Sequence, residues 1–298
     1  MIFEQTIGES VACSGIGLHS GVAVNLRILP APAGSGIVFR RADLDGFCVE
    51  ARAANIAKVS YATSLMKKGV LISTTEHILS AFMGAGVDNA IVELDNLEVP
   101  LLDGSAQPFV EMLERAGIRR QRRKRVYLRI QHPVEVRDGQ KYIGVYPCSA
   151  YQVSYTIDFP HPLIGLSSFQ VDLSNGAYCR EIAAARTFGF LRDERMLRNM
   201  GLIRGCSPEN CVVLTDTGVA NPPLRFPDEF VRHKVLDLIG DLALIGHRIL
   251  GRVVAHLAGH AMHTALVGRL LKDHSCCEET ALDSPSEIAL EPAVTASL

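Results

Sequence analysis

Apolar and polar residues alternate through Val22-Ala23-Val24-Asn25-Leu26-Arg27-Ile28-Leu29, the period of two that sends successive side chains to opposite faces of a strand. Pro30, Pro32 and Gly34-Ser35-Gly36 break the run before Ile37-Val38-Phe39 resumes it. Ser73-Thr74-Thr75-Glu76 then matches a capping box and predicts a helix to about Met83, stopped by Gly84-Ala85-Gly86. Residues 90–94 read as a strand, and residues 108–116 as a short amphipathic helix closed by Gly117. The second half repeats this programme. Strands are predicted at 126–130, 134–136, 142–145 and 151–157, and helices at 179–184 and 230–245. Gly259 separates a strand ending near Leu257 from a helix beginning near His260. Strands grouped ahead of helices favour α+β layers over a doubly wound parallel sheet. The helix openings T-E-H-I-L and V-R-H-K-V-L echo each other across the halves.

Between the halves lies Arg119-Arg120-Gln121-Arg122-Arg123-Lys124-Arg125, read as a linker at 119–125 between domains at 1–118 and 126–272. It lacks interleaved aromatics, and the chain as a whole has 30 basic against 32 acidic side chains, so a solvated hinge is expected rather than a nucleic-acid or phospholipid patch. Beyond about Asp273 the pattern dissolves, and residues 273–298 are expected to be a mobile tail. The start lacks the basic and apolar regions of a secretory signal, and charged residues puncture the most apolar stretch, 235–257, so a cytoplasmic protein without a transmembrane segment is expected. The eight cysteines contain no C-x-x-C pair and read as buried small hydrophobes or incidental thiols.

His233, Asp237 and Asp241 recur at i, i+4 and i+8. With Lys234 they fall in a sector of about 100°, while Val235, Leu236, Leu238, Ile239, Leu242, Ala243 and Ile245 fill most of the remaining arc and Leu244 is the exception. Carboxylates on one narrow edge of an otherwise buried helix need a compensating cation or proton. A metal is one solution, since an imidazole and a carboxylate one turn apart can ligate together; a surface salt-bridge helix is the other. Glu76-His77 could add a third ligand and a nearby base, although Glu76 could equally complete the box with Ser73. His256 and His260 do not share a helical face, because Gly259 intervenes. No G-x-S-x-G or H-E-x-x-H is present, and Gly15-Ile16-Gly17-Leu18-His19-Ser20-Gly21 precedes a strand where a phosphate loop would precede a helix.

Taken in order, S-G-I-G-L-H-S-G at 14–21, S-T-T-E-H at 73–77, D-G-S-A at 103–106, R-T-F-G-F at 186–190, F-V-R-H-K-V-L-D-L-I-G-D at 230–241 and A-G-H at 258–260 resemble the LpxC family of UDP-3-O-acyl-N-acetylglucosamine deacetylases. The resemblance runs from about residue 2 to 270. It implies two similar two-layer α/β sandwich domains, each with a small insert, and an active site in the cleft between them. It implies hydrolysis of the N-acetyl group of a UDP-linked, acylated amino sugar in lipid A biosynthesis, with one catalytic zinc ion that iron(II) could replace. By the same resemblance His77, His233 and Asp237 are the metal ligands and Glu76 the general base. His260 is the protonated partner of the leaving nitrogen, Asp241 holds and charges it, Thr187 donates to the oxyanion, and Lys234 suits charged groups of the substrate.

Substrate contacts are implied for Phe159 at the uracil, Lys141 at the diphosphate, and His19, Phe188 and Asp193 near the sugar. Cys206 and Val213 belong to an insert, about 189–215, that forms the acyl passage. Leu257 stands where the family often has a basic residue, and Cys206 where Gly-Gly-Ser is common. By analogy with relatives, a regulatory protease could act through the tail. A monomer is expected, with no nucleic-acid partner.

Overall fold

A computed structural model of the chain describes residues 1–284 apart from Lys58, Asn175 and His274. Its helices, in chain order, are α1 (Glu76–Ala85), α2 (Gln107–Ala116), α3 (Ala177–Glu181), α4 (Glu194–Asn199), α5 (Glu229–Leu242) and α6 (His260–Lys272). The architecture is α+β. In the first half, Val11–Ile16, Ala23–Pro30, Ala90–Leu94, Ile37–Arg41 and Phe47–Glu50 form a five-stranded sheet in that spatial order. The alternation at residues 22–29 is realised as expected: Val24, Leu26 and Ile28 are buried while Ala23, Asn25 and Arg27 face out.

The second half builds a seven-stranded sheet around Arg248–His256. The first part of that strand runs parallel to Val126–Ile130. Its second part lies between Lys141–Tyr146, antiparallel, and Tyr151–Phe159, parallel. The sheet therefore delivers the chain at His256 to a tight crossing into α6. Leu257 sits there at φ 51°, a left-handed conformation that costs a non-glycine residue about 1–3 kcal/mol and has to be held by its surroundings. The Leu257 N–H is held by the Thr156 carbonyl at 2.9 Å.

Helices α1 and α5 meet with almost no side chain between them. A Cβ at Gly240 would lie 2.0 Å from the Glu76 carbonyl oxygen, so only glycine permits this approach. The contact sets the start of α1 against the last turn of α5. Gly240→Ala is expected to lower the thermal midpoint: the ~1 kcal/mol gained in helix propensity is outweighed by an overlap with backbone, which overpacking puts at about 1–3 kcal/mol or more. Thermal unfolding of the variant checks this, and an unchanged or higher midpoint contradicts it.

Three expectations are corrected. The basic run at 119–125 is not a loose hinge: Ile118–Lys124 is a strand antiparallel to Phe3–Ile7. Part of the expected mobile tail is also ordered, because Cys277–Ala281 pairs antiparallel with Val126–Ile130 at the edge of the large sheet. The rest of that tail, 285–298, lies outside the described residues. The helix predicted at 179–184 is shorter and earlier, at Ala177–Glu181, and ends where Ile182 leaves helical geometry.

Candidate active site

Helix α5 is buried nearly all round, including His233, Asp237 and Asp241 on its polar edge. The alternative of a surface salt-bridge helix is thereby removed. Opposite this edge, α1 presents Glu76 and His77 from its first turn, both buried. The capping box does not form. Thr75 is the cap residue, in helical geometry and without a side-chain capping bond, its hydroxyl donating instead to the Thr63 carbonyl at 3.1 Å, so Glu76 is the first helical residue rather than the third. Ser73 instead bonds Ser64, at 3.0 Å between hydroxyls, and Glu76 accepts the Thr63 N–H at 3.1 Å. Thr74 precedes the pair at φ 57° and its hydroxyl donates to Glu98 at 2.8 Å. Glu98 also accepts the N–H groups of His19 and Ser20, tying the 14–21 loop to the start of α1.

His77, His233 and Asp237 bring one ligand atom each to within 4.8 Å of one another. His233 Nε2 lies 3.2 Å and His77 Nε2 3.6 Å from Asp237 Oδ1. His233 Nδ1–H donates to the Ala185 carbonyl at 3.0 Å, which turns the Nε2 lone pair toward the carboxylate. Two acceptors facing each other in a buried site need a cation between them. Two imidazole nitrogens and a carboxylate oxygen are a donor set suited to zinc or iron(II). The other Asp237 oxygen accepts the Lys234 ammonium at 2.8 Å, and although burial acts to raise it, the positive charge about Asp237, that of Lys234 included, holds it well below the usual carboxylate range.

One turn further along α5, Asp241 Oδ2 accepts Nδ1–H from both His260, at 2.7 Å, and His263, at 2.8 Å; Thr63 donates its hydroxyl to Oδ1. Burial alone would lower the pKa of His260, but the Asp241 charge and hydrogen bond, with Asp237 and Glu76 behind them, raise it to about 9. Glu76 is raised as well, chiefly by burial, with His260 and His77 opposing and Asp241 and Asp237 adding to the rise. The site thus holds a carboxylate pushed toward neutrality and an imidazolium stable above it, the separation that acid–base chemistry at one pH requires.

An apolar cavity of about 410 Å³ opens beside this cluster. Five of the expected substrate-side residues line it: His19, Thr187, Phe188, Cys206 and Val213. Phe159 stands behind the wall, edge-on to Phe188 with ring centroids 5.6 Å apart, and Phe188 reaches His233 at 6.4 Å. Lys141 is exposed at the start of its strand and Asp193 is half-buried in the turn before α4, and neither is on the cavity wall. His19 Nε2 is buried without a partner among the described residues.

Sequence reasoning missed Thr63, His263 and the Ala185 carbonyl. His263 carried a usable signal, since it follows His260 by three residues on one helix face. Thr63 and Ala185 had none, because neither belongs to a periodic run.

Two imidazoles and a carboxylate converging from facing helices, with an acid and a base at hand, place the molecule among the metal-dependent hydrolases. Comparison with known proteins narrows this. The chain belongs to the LpxC family, whose description is UDP-3-O-acyl N-acetylglycosamine deacetylase and whose profile matches residues 4–272. It is 53% identical to the UDP-3-O-acyl-N-acetylglucosamine deacetylase of Solibacter usitatus (strain Ellin6076), over 95% of this chain and 96% of that one. It is 46% identical to the same enzyme of Anaeromyxobacter sp. (strain Fw109-5), over 96% and 94% of the two chains. With that of Myxococcus xanthus (strain DK1622) the identity is 45%, over 92% and 88%.

Proposed function

We propose that this enzyme hydrolyses the N-acetyl group of UDP-3-O-[(3R)-3-hydroxyacyl]-N-acetylglucosamine, giving UDP-3-O-acyl-glucosamine and acetate in the committed step of lipid A biosynthesis. The observation that carries the reading is the meeting of His77 from α1 with His233 and Asp237 from α5, flanked by Glu76 and His260.

His77, His233 and Asp237 would hold one zinc ion, and iron(II) suits the same donors. Such an ion, when bound, polarises the acetamide carbonyl and makes water more acidic. Glu76, desolvated and raised in pKa, takes the proton from the attacking water. The Thr187 hydroxyl, on the cavity wall, donates to the oxyanion as the carbonyl carbon becomes tetrahedral. His260 enters the step as an imidazolium, stabilises that charge and gives its proton to the departing glucosamine nitrogen. Asp241 keeps the ring oriented and charged. Lys234 neutralises the second Asp237 oxygen and extends positive charge toward the substrate.

The 410 Å³ cavity, apolar along Leu18, Phe188, Phe190, Leu191, Leu197 and Ile203, suits an acyl chain leaving the sugar. Phe159 for uracil, Lys141 for the diphosphate, and His19 and Asp193 for the sugar complete the proposed contacts. No helix among the described residues is long and apolar enough to cross a membrane; the enzyme in this reading is a cytoplasmic monomer working on a substrate with a water-soluble head.

Removal of metal by chelation is expected to abolish acetate release from UDP-sugar substrates of graded acyl length, and added zinc is expected to restore it. A metal-free preparation that turns over as fast as the loaded one would overturn the metal assignment. Equal turnover of a substrate lacking the acyl chain would overturn the role of the cavity.

A further inference from the structure

Glu98 is buried, at 2% exposure, and the proposed reaction does not use it. It belongs to residues 97–101, which run between the 14–21 loop and the approach to α1. On one side Ser73 N–H donates to the Leu97 carbonyl at 2.8 Å and Val99 N–H to the Ser73 carbonyl at 3.0 Å; on the other, Leu101 N–H donates to the Ile16 carbonyl at 3.0 Å. The Glu98 side chain bonds to both sides. Its Oε1 accepts the His19 N–H at 2.9 Å and the Thr74 hydroxyl at 2.8 Å, and its Oε2 accepts the Ser20 N–H at 2.8 Å. The loop is also packed onto the carboxylate, since a Cβ at Gly17 would lie 2.4 Å from Oε2. Thr74 stands at φ 57°, which a β-branched residue adopts only where its surroundings hold it, and Glu76 and His77 follow directly after Thr75.

The loop is tied in turn to the insert at the apolar cavity. Leu18, His19 and Ile203 line that cavity. Gly205 N–H donates to the Leu18 carbonyl at 3.0 Å, Arg204 N–H to the His19 carbonyl at 3.4 Å and Ile203 N–H to His19 Nδ1 at 3.4 Å. A Cβ at Gly205 would lie 2.2 Å from the Gly17 carbonyl oxygen, so insert and loop meet backbone to backbone. Insert, loop, Glu98 and the first turn of α1 form one connected series of contacts.

We propose that Glu98 is a positioning residue that makes the reaction sensitive to the acyl chain. A chain seated against Leu18, His19 and Ile203 fixes the loop, and Glu98 passes that constraint through Thr74 to Glu76 and His77. The inference deepens the deacetylase reading and rests on it. Binding energy from a part of the substrate remote from the reacting bond raises kcat only where the protein transmits it to the reacting groups.

Two substitutions cut the series at different ends. In Glu98→Gln the side chain keeps its shape, but one of its two oxygens becomes a donor. Whichever way the amide turns, Thr74 keeps a bond, because a hydroxyl can donate or accept, and either His19 N–H or Ser20 N–H loses its acceptor. Thr74→Val leaves both loop bonds in place and removes the one to α1.

The test uses the full metal-loaded chain as native protein, each single variant and the double variant, assayed on UDP-sugar substrates with and without a long acyl chain. The long-to-short ratio of kcat should fall about tenfold in each single variant, the scale of a small misplacement in a reacting site. KM for the long-acyl substrate should rise in Glu98→Gln and hold in Thr74→Val. The double variant should lose no more of the ratio than either single one, as expected of two cuts in one path. Amide hydrogen exchange, read by mass spectrometry over 14–21 and 203–206, should quicken about tenfold in Glu98→Gln, roughly the worth of one hydrogen bond, and stay as in the native protein in Thr74→Val.

Variants that lose stability while keeping the long-to-short ratio would make Glu98 a contact of the fold only and overturn the proposal, as would losses that multiply in the double variant. Faster exchange confined to 14–21 would break the link to the insert. Native enzyme that releases no acetate from either substrate would count against the proposed function instead, and the exchange pattern would still decide whether Glu98 joins the loop to the insert.

Discussion

Glu76→Gln is expected to lower kcat for acetate release by about 10²–10⁴-fold, the usual contribution of a positioned general base, while the protein folds and binds metal as before. The prediction separates chemistry from architecture because the carboxylate has only one structural duty among the described contacts. Its Oε2 accepts the Thr63 N–H, and a glutamine carbonyl oxygen can accept the same bond. The substitution also removes a fully buried carboxyl whose charged form is disfavoured by burial, so stability should hold or rise. His77, His233 and Asp237 keep their own contacts, so metal content should not change. Steady-state kinetics, metal analysis and a thermal midpoint on one preparation check all three. Retained turnover at full metal content would remove Glu76 as the base, and loss of metal along with turnover would recast it as part of the binding cluster.

The same residue marks how far a sequence can be read without its fold. The polar edge of α5 was legible, because three polar residues spaced four apart on an apolar helix have few physical explanations. That the edge is buried was not, since burial depends on α1 packing over it, and the feature that permits the packing is a missing side chain at Gly240. Glu76 was ambiguous for a related reason. The string Ser-x-x-Glu satisfies the capping pattern, but the helix starts at Glu76 itself, and a shift of register turns the acid from the helix end to the site.

Strands with one buried face were found by their alternation, as in Ala23–Pro30. Two of the strands missed, Ile118–Lys124 and Cys277–Ala281, lack it. The first is exposed at nearly every position, and both join their sheets through backbone pairing without an apolar face of their own. Such pairing leaves no trace in side-chain polarity. The site's outer layer was hidden in the same way: the Ala185 carbonyl that orients His233 is main chain, and Thr63 reaches Asp241 from a position 178 residues away in sequence.

Asp241→Asn should act on pH dependence more than on shape. In the native protein the carboxylate receives three donors, the Nδ1–H groups of His260 and His263 on one oxygen and the Thr63 hydroxyl on the other. An asparagine whose carbonyl oxygen faces the two rings can still accept from both, and its amide can face Thr63, whose hydroxyl can turn to accept. What is lost is the negative charge that, against burial, raises His260 to about 9. If the ring returns only to its ordinary value of 6.5, the protonated fraction at pH 8 falls about 30-fold, and the alkaline limb of kcat/KM moves down by more than two pH units.

Stability follows the same sign. A His260 pKa above its unfolded value means that its pairing with Asp241 contributes fully below pH 6.5 and fades as pH rises through about 9. The thermal midpoint of the native protein should therefore fall across that window, and that of the variant should be nearly flat there. Rate and midpoint measured from pH 6 to 10 test both limbs. An alkaline limb that stays in place in the variant would detach His260 from the proton delivered to the leaving nitrogen, and would leave Asp241 as a packing contact rather than the source of that acidity.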